Sequence, residues 1–580
     1  MEDSVLNQSQ HYRSGEDDRK KYLKILIVYL PFYFALIFVI SLLRYLNFYT
    51  ADADLGINMQ GLWTTTHGML MFDSSDFEIY GMVSHLEVHT SFIAVLFAYP
   101  YLLFPGPSFL FLLQDSAISL SVIILYMLCG KVTGDYRISF MVAVSYSVNA
   151  TLLGAVFYDF HWLSFIPLES FVLFYALFSR WKLVSIITIA VGSLTQEIFP
   201  FIALSFLLYY FIDTRRKEFP SREWFFSHDG DFFMIAAIFS LSMYIVLSLV
   251  QEHFIPVLLN NTSISAEIGA NSSARFIPSA LSPLASLKSL SYWMLSFLLL
   301  LFLPLLKTKN ILLMLPWMYE TIVVDPAMGT LGNQYSFVTL SVLIPAVVVS
   351  LSLMRGMDAL KIKRYLRILL LISGGVIVAL VADGFGMNPI DKVNLVLILA
   401  AEASYALFVF GIRKIRMMRS LIRKFNAKKA IVTLFVATLS MSLILSPFNT
   451  VNDNRYNLPG YEISYSVNPQ SAYIPLIQSF ITPGSTIVAS DNLFPIVANH
   501  DKAYEFYNTY MTESNARYFP FNGSVLPRFI LYDSYQSVYM PSWVIPSLNH
   551  YGLVLLINGT GYPGNIYLYE LGYSAPTIYE

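Results

Sequence analysis

The chain has 580 residues, of which 56% are hydrophobic and 13% charged, with a formal net charge of −2 and one cysteine. Its mean hydropathy of +0.58 is far above that of a soluble domain, and its apolar runs repeatedly reach bilayer-spanning length. This composition predicts a polytopic helical membrane protein. It argues against a nucleic-acid partner, because the basic residues fall in short loops, and a single cysteine excludes an intrachain disulfide.

The first apolar run, Ile25–Leu46, follows four basic residues between positions 19 and 24. The positive-inside rule therefore keeps the basic tail, residues 1–24, in the cytoplasm and sends the next loop, residues 47–90, to the outer face of the plasma membrane. The run is too long for a signal peptide and has no small-residue cleavage site. We interpret it as an uncleaved anchor.

Sorting the basic loops to one side predicts about 13 transmembrane helices within residues 25–447. This number treats Ser91–Phe104 as a half-inserted or surface helix, because it is short and is closed by Pro105-Gly106-Pro107. It also splits Leu183–Phe211 into two helices around Gln196-Glu197. One long tilted helix is the alternative for that stretch.

The composition changes after the last apolar run, and residues 448–580 are rich in Asn, Tyr, Pro, Ser and Gly. Short apolar strings bounded by turn residues predict strands at Ser485–Ala489, Arg528–Tyr532, Tyr551–Ile557 and Asn565–Tyr569. An odd number of spans places this part outside the cell. The predicted fold is therefore an all-α membrane bundle followed by an extracytoplasmic α/β or α+β soluble domain.

The first external loop is the strongest candidate for chemistry. Residues Thr50–His89 contain six carboxylates and three histidines but no Lys or Arg. Asp52 and Asp54 follow the point at which the first span leaves the membrane. A carboxylate there can act as a general base toward an acceptor hydroxyl, or can help to bind a divalent cation. The alternative for each is that it only caps the following helix.

The string Ser84-His85-Leu-Glu87-Val-His89 has two histidines four positions apart with a carboxylate between them. On a helix this spacing puts both imidazoles on one face, as in half of a metal site, with His85, Glu87 and His89 as ligands. It is not the zinc-protease signature, in which Glu directly follows the first His. Interfacial histidines that anchor the next helix are the alternative.

Further polar groups are expected on the same face. Asp159 and His161 flank a span boundary, and an aromatic belt explains their aromatic neighbours but not the acid and the imidazole. Glu197 lies inside an otherwise apolar stretch, where an ionisable side chain is costly unless it serves a site. It could orient His161 or bind substrate. Gln334 and Tyr335 open a later span.

Short motifs follow one another in a fixed order along most of the chain: Asp54-Leu-Gly-Ile, Gln60, Trp63, His67-Gly68, His89, Tyr99-Pro-Tyr-Leu-Leu-Phe-Pro-Gly-Pro107, Gln114, Asp159-Phe-His161 and Ile481–Asp491. In this order they resemble the prokaryotic membrane family called domain of unknown function 2079. That family is similar to the GT-C class of integral-membrane glycosyltransferases, which carry an essential acid in the first external loop and take sugars from polyprenyl-phosphate carriers.

The resemblance implies that Asp54 is the catalytic base, with Asp52 as the other candidate acid. It places the following residues around the substrate: Gln60, His67, His89, Asp159, His161, Glu197, Gln334 and Tyr335. The family has a Lys-Glu-Asp-like string where this chain has Gln196-Glu197-Ile198, and often a His before the Tyr of Gln334-Tyr335. The missing Lys removes a phosphate contact, for which Arg275 or Lys288 are the candidate replacements.

The first hypothesis is a GT-C-like transferase that moves a sugar from a polyprenyl-phosphate donor to a glycan, lipid or protein acceptor, with a divalent cation as a candidate cofactor. A transporter or lipid-handling protein is the second, although no clear internal repeat is present. An outward sensor is the third, although 13 spans exceed what anchoring requires. A single cavity that joins the acidic loop to Asp159 and Glu197 would favour the first.

Overall fold

The computed structural model describes residues 2–50, 54–214, 228–260, 283–329, 332–355, 357, 427–448, 463–506, 516–534, 540–559 and 564–580. Asp52 and Arg275 lie outside the described residues, as do the apolar runs between positions 358 and 426.

Helices dominate the described part of the membrane region. In chain order they are α1 (Glu2–Leu46), α2 (Asp54–Thr66), α3 (Ser74–Tyr80), α4 (Ile93–Tyr101), α5 (Pro107–Thr133), α6 (Tyr136–Ser147), α7 (Ala150–Val156), α8 (Ile166–Ser179), α9 (Lys182–Thr195), α10 (Phe199–Thr214), α11 (His228–Leu249), α12 (Ile255–Leu258), α13 (Pro283–Leu299), α14 (Ile311–Tyr319), α15 (Ser336–Arg355) and α16 (Ala427–Ile444).

Within the described ranges, five helical stretches are long and apolar enough to cross a membrane, and the pair α6 and α7, bent by 46°, can form a sixth span. The protein is therefore an integral membrane protein. The five stretches are Glu16–Leu46, Pro107–Thr133, Trp162–Ser179, Gly230–Leu258 and Ser336–Arg355. The predicted total of 13 would also need the shorter apolar helices and the apolar runs between positions 358 and 426.

Two details of the helix pattern agree with the sequence. Helix α9 ends at Thr195, Gln196 is extended, and α10 starts at Phe199, so the chain breaks where Gln196-Glu197 predicted a break. Helix α4 has nine residues and is about 13 Å long, far short of a bilayer of about 30 Å. It leaves Leu96 and Tyr99 exposed, as a surface helix in contact with lipid would.

The core of the membrane region centres on α15, where Phe337, Leu343 and Val348 are among many fully buried side chains. Helix α15 packs against α5, α8 and α14, and α5 packs against α1, α6 and α8. Helix α5 also has exposed apolar side chains, such as Leu112 and Leu120, as expected for a bundle in a membrane.

The C-terminal part forms a six-stranded mixed sheet with strands β1 (Ile487–Ala489), β2 (Ala503–Glu505), β3 (Phe529–Asp533), β4 (Tyr551–Ile557), β5 (Ile566–Leu571) and β6 (Ile578–Tyr579) in the order β2-β1-β3-β5-β4-β6. Strands β2, β1 and β3 are parallel, and β5 is antiparallel to both of its neighbours. Short helices accompany the sheet: α17 (Ile474–Phe480), α18 (Phe494–Val497) and α19 (Val544–Ser547).

The sheet and the first-loop helices share one apolar core. Leu55 and Met59 of α2 lie in the same buried cluster as Ile487 of β1 and Phe494 of α18. A Cβ atom on Gly56 would overlap the ring of Phe494, so α2 needs a glycine at this point of close approach. The acidic first loop is therefore held between the membrane bundle and the C-terminal sheet.

Candidate functional site

The N-terminus of α2 is bound by an acid from a distant part of the chain. Oδ2 of Asp159 accepts a hydrogen bond from the backbone N–H of Leu55 at 3.1 Å, and its Oδ1 accepts one from the N–H of Phe160 at 2.8 Å. The first N–H groups of a helix have no partner within the helix, and a carboxylate is a favourable acceptor for them. Asp54, the first residue of α2, therefore lies beside Asp159.

A second set of hydrogen bonds fixes the segment around Asp159. The indole N–H of Trp162 donates to Oδ1 of Asn58 at 2.7 Å, and Nδ2 of Asn58 donates to the carbonyl of Asp54 at 2.8 Å. Oε1 of Gln114 accepts from the backbone N–H of His161 at 3.3 Å. The segment and the start of α2 are thus joined through buried side chains that need these partners.

His161 itself is buried just before a membrane span. Its Nδ1 accepts a hydrogen bond from the backbone N–H of Leu163 at 3.1 Å, which requires this nitrogen to be unprotonated. Burial lowers the pKa of His161 to about 3, with a further contribution from the nearby His89 and His85 rings. His161 is therefore a neutral imidazole at physiological pH.

Glu197, in the break between α9 and α10, binds the first loop. Nδ1 of His89 lies 3.1 Å from its Oε1, and the hydroxyl of Thr90 donates to its Oε2 at 3.2 Å. Both side chains of the His89 and Glu197 pair are 26% exposed. The ring centroids of His89 and His161 are 6.3 Å apart. Glu197 therefore orients His89, the neighbour of His161, and joins the two parts of the site.

Three other side chains of the first loop form a compact buried group. Nδ1 of His85 lies 2.8 Å from Oδ2 of Asp76 and 3.7 Å from Oδ2 of Asp73. Burial raises the pKa of Asp73 well above its ordinary value, and the neighbouring Asp76 raises it further; burial also raises the pKa of Asp76 to about 6. Burial lowers the pKa of His85.

The ligand set expected from the sequence is arranged differently in the structure. His85 points to Asp73 and Asp76, whereas His89 points to Glu197. Oε1 of Glu87 accepts from the backbone N–H of Val83 at 3.0 Å. The segment His85–Glu87 is a short 3-10 helix rather than an α-helix, so the four-residue spacing does not bring the two imidazoles to a common ligand.

Helix α3 connects this group to the C-terminal sheet. The hydroxyl of Ser75 donates to Oε2 of Glu505 in β2 at 2.9 Å, and Oε1 of Glu78 accepts from the backbone N–H of Glu505 at 3.3 Å. Glu78 and Glu505 are both fully buried, and burial followed by the charge of Glu505 raises the pKa of Glu78. Acidic groups from both parts of the chain thus meet at this contact.

Gln60 and His67, which were predicted to bind substrate, make contacts within the protein. The amide of Gln60 donates to the carbonyls of His500 and Ala503 at 2.9 Å each, and its Oε1 accepts from Ser74. His67 stacks on Trp63 beyond the last residue of α2, roughly 20 Å along the helix from Asp54.

Gln334 and Tyr335 precede α15, where Gln334 is buried and the ring of Tyr335 lies 6.3 Å from that of Trp317. These contacts hold the two residues that precede the first turn of α15 in place. Their positions relative to Asp54 stay a prediction.

Two charged residues that the sequence analysis did not single out lie at the same end of the bundle. Nη2 of the buried Arg44, in the last turn of α1, donates to the carbonyls of Tyr49 at 2.7 Å and Tyr158 at 3.4 Å. Oε1 of Glu169 in α8 accepts from the hydroxyl of Thr195 at 2.6 Å. Each is an ionisable residue within an apolar run, and this feature of the sequence could have identified both as candidate site residues.

Comparisons with known proteins add a family and a structural likeness. No curated protein matches the chain. The solved structures that resemble it include ArnT from Cupriavidus metallidurans bound to undecaprenyl phosphate, at 12% identity and a TM-score of 0.45 over 94% of this chain and 98% of that one. The apo state of the same protein gives 12% identity and a TM-score of 0.46 over 93% and 98%.

The family comparison covers more than half of the sequence. The model of the family described as predicted membrane protein (DUF2079) matches residues 44–398, which include the first loop and the segments around Asp159 and Glu197. The chain belongs to the DUF2079 family of predicted membrane proteins.

Proposed function

We propose that this protein is a GT-C-like glycosyltransferase that moves a sugar from a polyprenyl-phosphate donor to an acceptor hydroxyl at the outer face of the membrane. The observation that supports this most is the convergence of three acidic segments. Asp159 contacts the start of α2 across 104 residues of chain, and Glu197 contacts His89 across 108. Polar groups gathered at one end of a membrane bundle are typical of a functional site.

In this proposal Asp54 is the general base. Its carboxylate takes the proton of the acceptor hydroxyl while the acceptor oxygen forms a bond to the anomeric carbon of the sugar. The bond between that carbon and the donor phosphate oxygen breaks, and the polyprenyl phosphate leaves with the electron pair. The buried Asp159 and His161 and the partly exposed Glu197 act as positioning residues, because their polar atoms are engaged with backbone groups and with His89.

A donor phosphate also needs a positive charge near the reacting carbon. Arg44 supports the proposal here, because its guanidinium binds the carbonyl of Tyr158, the residue before Asp159. Arg44 lies in the last turn of the first span, next to the segment that holds Asp159. The N-terminus of α2 contributes a partial positive charge at the same place.

The proposed orientation follows from charge. The basic tail, residues 1–24, stays in the cytoplasm. Residues 25–447 cross the membrane about 13 times, and residues 448–580 form an extracytoplasmic domain. A lipid carrier would keep its isoprenoid chain in the bilayer while its head group reaches the first loop. The C-terminal sheet, which packs on α2, would then contact the acceptor.

The test uses the full-length protein in lipid nanodiscs with a pool of polyprenyl-phosphate sugars and follows release of labelled sugar. Asp54→Asn keeps the size and polarity of the side chain but removes the base, so turnover should fall by about 100-fold or more. Asp325→Asn is the matched control, because Asp325 caps a short helical turn through the backbone N–H of Ala327 and is not part of the proposed site.

Unchanged turnover in a folded Asp54→Asn variant would reject Asp54 as the base. No turnover by the parent with any donor, together with saturable solute transport, would reject the transferase itself.

A further inference from the structure

The buried group Asp73, Asp76 and His85 has the arrangement of a cation site. Its ligand atoms, one from each residue, all lie within 4.8 Å of one another. Donors about 2.1 Å from a tetrahedral ion are roughly 3.4 Å apart. The observed separations of 2.8 and 3.7 Å from Nδ1 of His85 to the two carboxylates lie on either side of that value.

The backbone holds the three residues in place. Asp73 caps α3, since its Oδ1 accepts from the backbone N–H of Asp76 at 2.8 Å, and this leaves Oδ2 directed toward His85. The chain turns back at Gly81, whose φ is +70°, and the backbone N–H of His85 donates to the carbonyl of Met71 at 2.8 Å. The donors are thus positioned by a capped helix and a turn.

In the part of the chain that the structure describes, the ion pairs of Asp73 and Asp76 are with His85 alone, and no Lys or Arg is paired with either carboxylate. Asp73 is 1% exposed, and among the residues that the structure describes its Oδ2 has no hydrogen-bond donor. Oε2 of the nearby Glu78 is likewise buried without a hydrogen-bond donor among the described residues. The whole loop from Thr50 to His89 lacks Lys and Arg. Buried carboxylates without a counter-charge are costly, so they take up protons or bind a cation.

We propose that Asp73, Asp76 and His85 bind one divalent cation of the Zn²⁺ or Mn²⁺ type. Two carboxylates and an imidazole form a mixed set of oxygen and nitrogen ligands. This set suits Zn²⁺ or Mn²⁺ better than Ca²⁺ or Mg²⁺, which prefer oxygen ligands only. Nδ1 of His85, which faces both carboxylates, coordinates through its lone pair once its proton has left.

The ion has a structural role that follows from its position. It joins the cap of α3 to His85, and α3 presents Ser75 and Glu78 to Glu505 of β2. Occupation of the site therefore fixes the contact between the first loop and the C-terminal sheet. The His85 ring also lies 5.4 Å from that of His89, so the ion influences the partner of Glu197. Binding of the ion at this site does not require sugar transfer.

The test measures metal content and thermal stability of the full-length protein in nanodiscs, without any donor. The parent is stripped with a chelator, exposed to ZnCl₂ or MnCl₂ and desalted. We expect about one ion per chain by elemental analysis and a higher unfolding temperature after reloading. A parent that holds no ion and shows no change in unfolding temperature would overturn the proposal.

Substitutions assign the ligands. His85→Gln and Asp76→Asn should weaken binding by at least about tenfold. The exposed residues His550 and Asp17 provide matched controls, and His550→Gln and Asp17→Asn should bind like the parent. Equal binding by all four variants would show adventitious binding elsewhere and reject this site.

Should loss of a ligand prevent folding, His85→Cys gives a positive test. A thiolate in place of the imidazole should keep the site but raise its preference for Cd²⁺ over Mn²⁺, because thiolate selects softer ions. An unchanged preference would contradict coordination by residue 85.

Discussion

The backbone N–H of Leu55 donates a hydrogen bond to Oδ2 of Asp159 over 3.1 Å, so the first turn of α2 is capped by an acid that is 104 residues away in sequence. Loss of such a cap costs about 1 kcal/mol of unfolding free energy. Asp159→Ala should therefore lower stability by about that amount and also lower turnover, because the position of Asp54 is no longer fixed. Asp159→Asn should retain most of the stability, since its side-chain oxygen still accepts.

The matched control for this prediction is Asp135→Ala. Asp135 caps α6 through the backbone N–H groups of Arg137 and Ile138, so its loss should cost similar stability in chemical denaturation but leave sugar release unchanged. An Asp159→Ala variant with parental stability and turnover would show that this cap serves neither purpose.

The close contact of Gly56 with Phe494 makes a second prediction. Gly56→Ala should lower the unfolding free energy by about 1–3 kcal/mol, because the added Cβ overlaps a ring fixed in the shared core. Phe494→Leu in the same chain should recover part of the loss, since it makes room for the methyl group. Gly523→Ala is the control, as a Cβ there meets no atom within 4 Å. Additive losses in the double variant would contradict the proposed overlap.

The neutral state of His161 predicts a pH dependence. Its pKa is lowered to about 3 in the folded protein, whereas an unfolded histidine titrates near 6.5. As pH falls below 6.5, His161 binds a proton in the unfolded chain but stays neutral in the folded protein. The free energy of unfolding therefore falls by about 2 kcal/mol at pH 5. His161→Asn can still accept from the N–H of Leu163, but it cannot ionise.

The measurement is the unfolding temperature of both proteins at pH 7 and pH 5. The parent should lose more stability than His161→Asn over this interval. An equal loss in the two proteins would mean that His161 contributes nothing to the acid sensitivity.

The orientation of the chain is testable because Cys129, the one cysteine, is buried. In a Cys129→Ala background, Ser524→Cys should react with a membrane-impermeant maleimide in intact cells, because Ser524 is exposed in the predicted outer domain. Asp17→Cys should react only after the membrane is made permeable. The opposite labelling pattern would reverse the proposed topology.

Part of this architecture could be predicted because its cause is local. The break at Gln196-Glu197 follows from polar residues inside an apolar stretch, and the strand Tyr551–Ile557 is observed with the bounds that its apolar string predicted. The two strands absent from the sequence prediction, β2 and β6, are three and two residues long. Strand β1 is equally short but was predicted because all of its residues are apolar, whereas β2 contains Glu505 and β6 has only two residues, so pairing with neighbours decides both.

The composition of the site depends on contacts between distant segments, which no local pattern encodes. The sequence indicated that Asp159, His161, His89 and Glu197 belong to one face, but it could not pair His89 with Glu197. It also grouped His85 with His89 by assuming a helix, whereas the chain turns at Gly81 and brings His85 to Asp73. Tertiary packing decides such pairings.

The hydrogen bond from Gln60 to the carbonyl of His500 spans 440 residues, so the two partners are synthesised at different times. At a synthesis rate of about 5–20 residues per second, Gln60 leaves the ribosome about 20–90 seconds before its partner exists. During that interval the first loop lacks the sheet that completes its apolar core. A nascent chain therefore cannot acquire the assembled site early, and any premature stop before the last strands leaves α2 with an exposed apolar face.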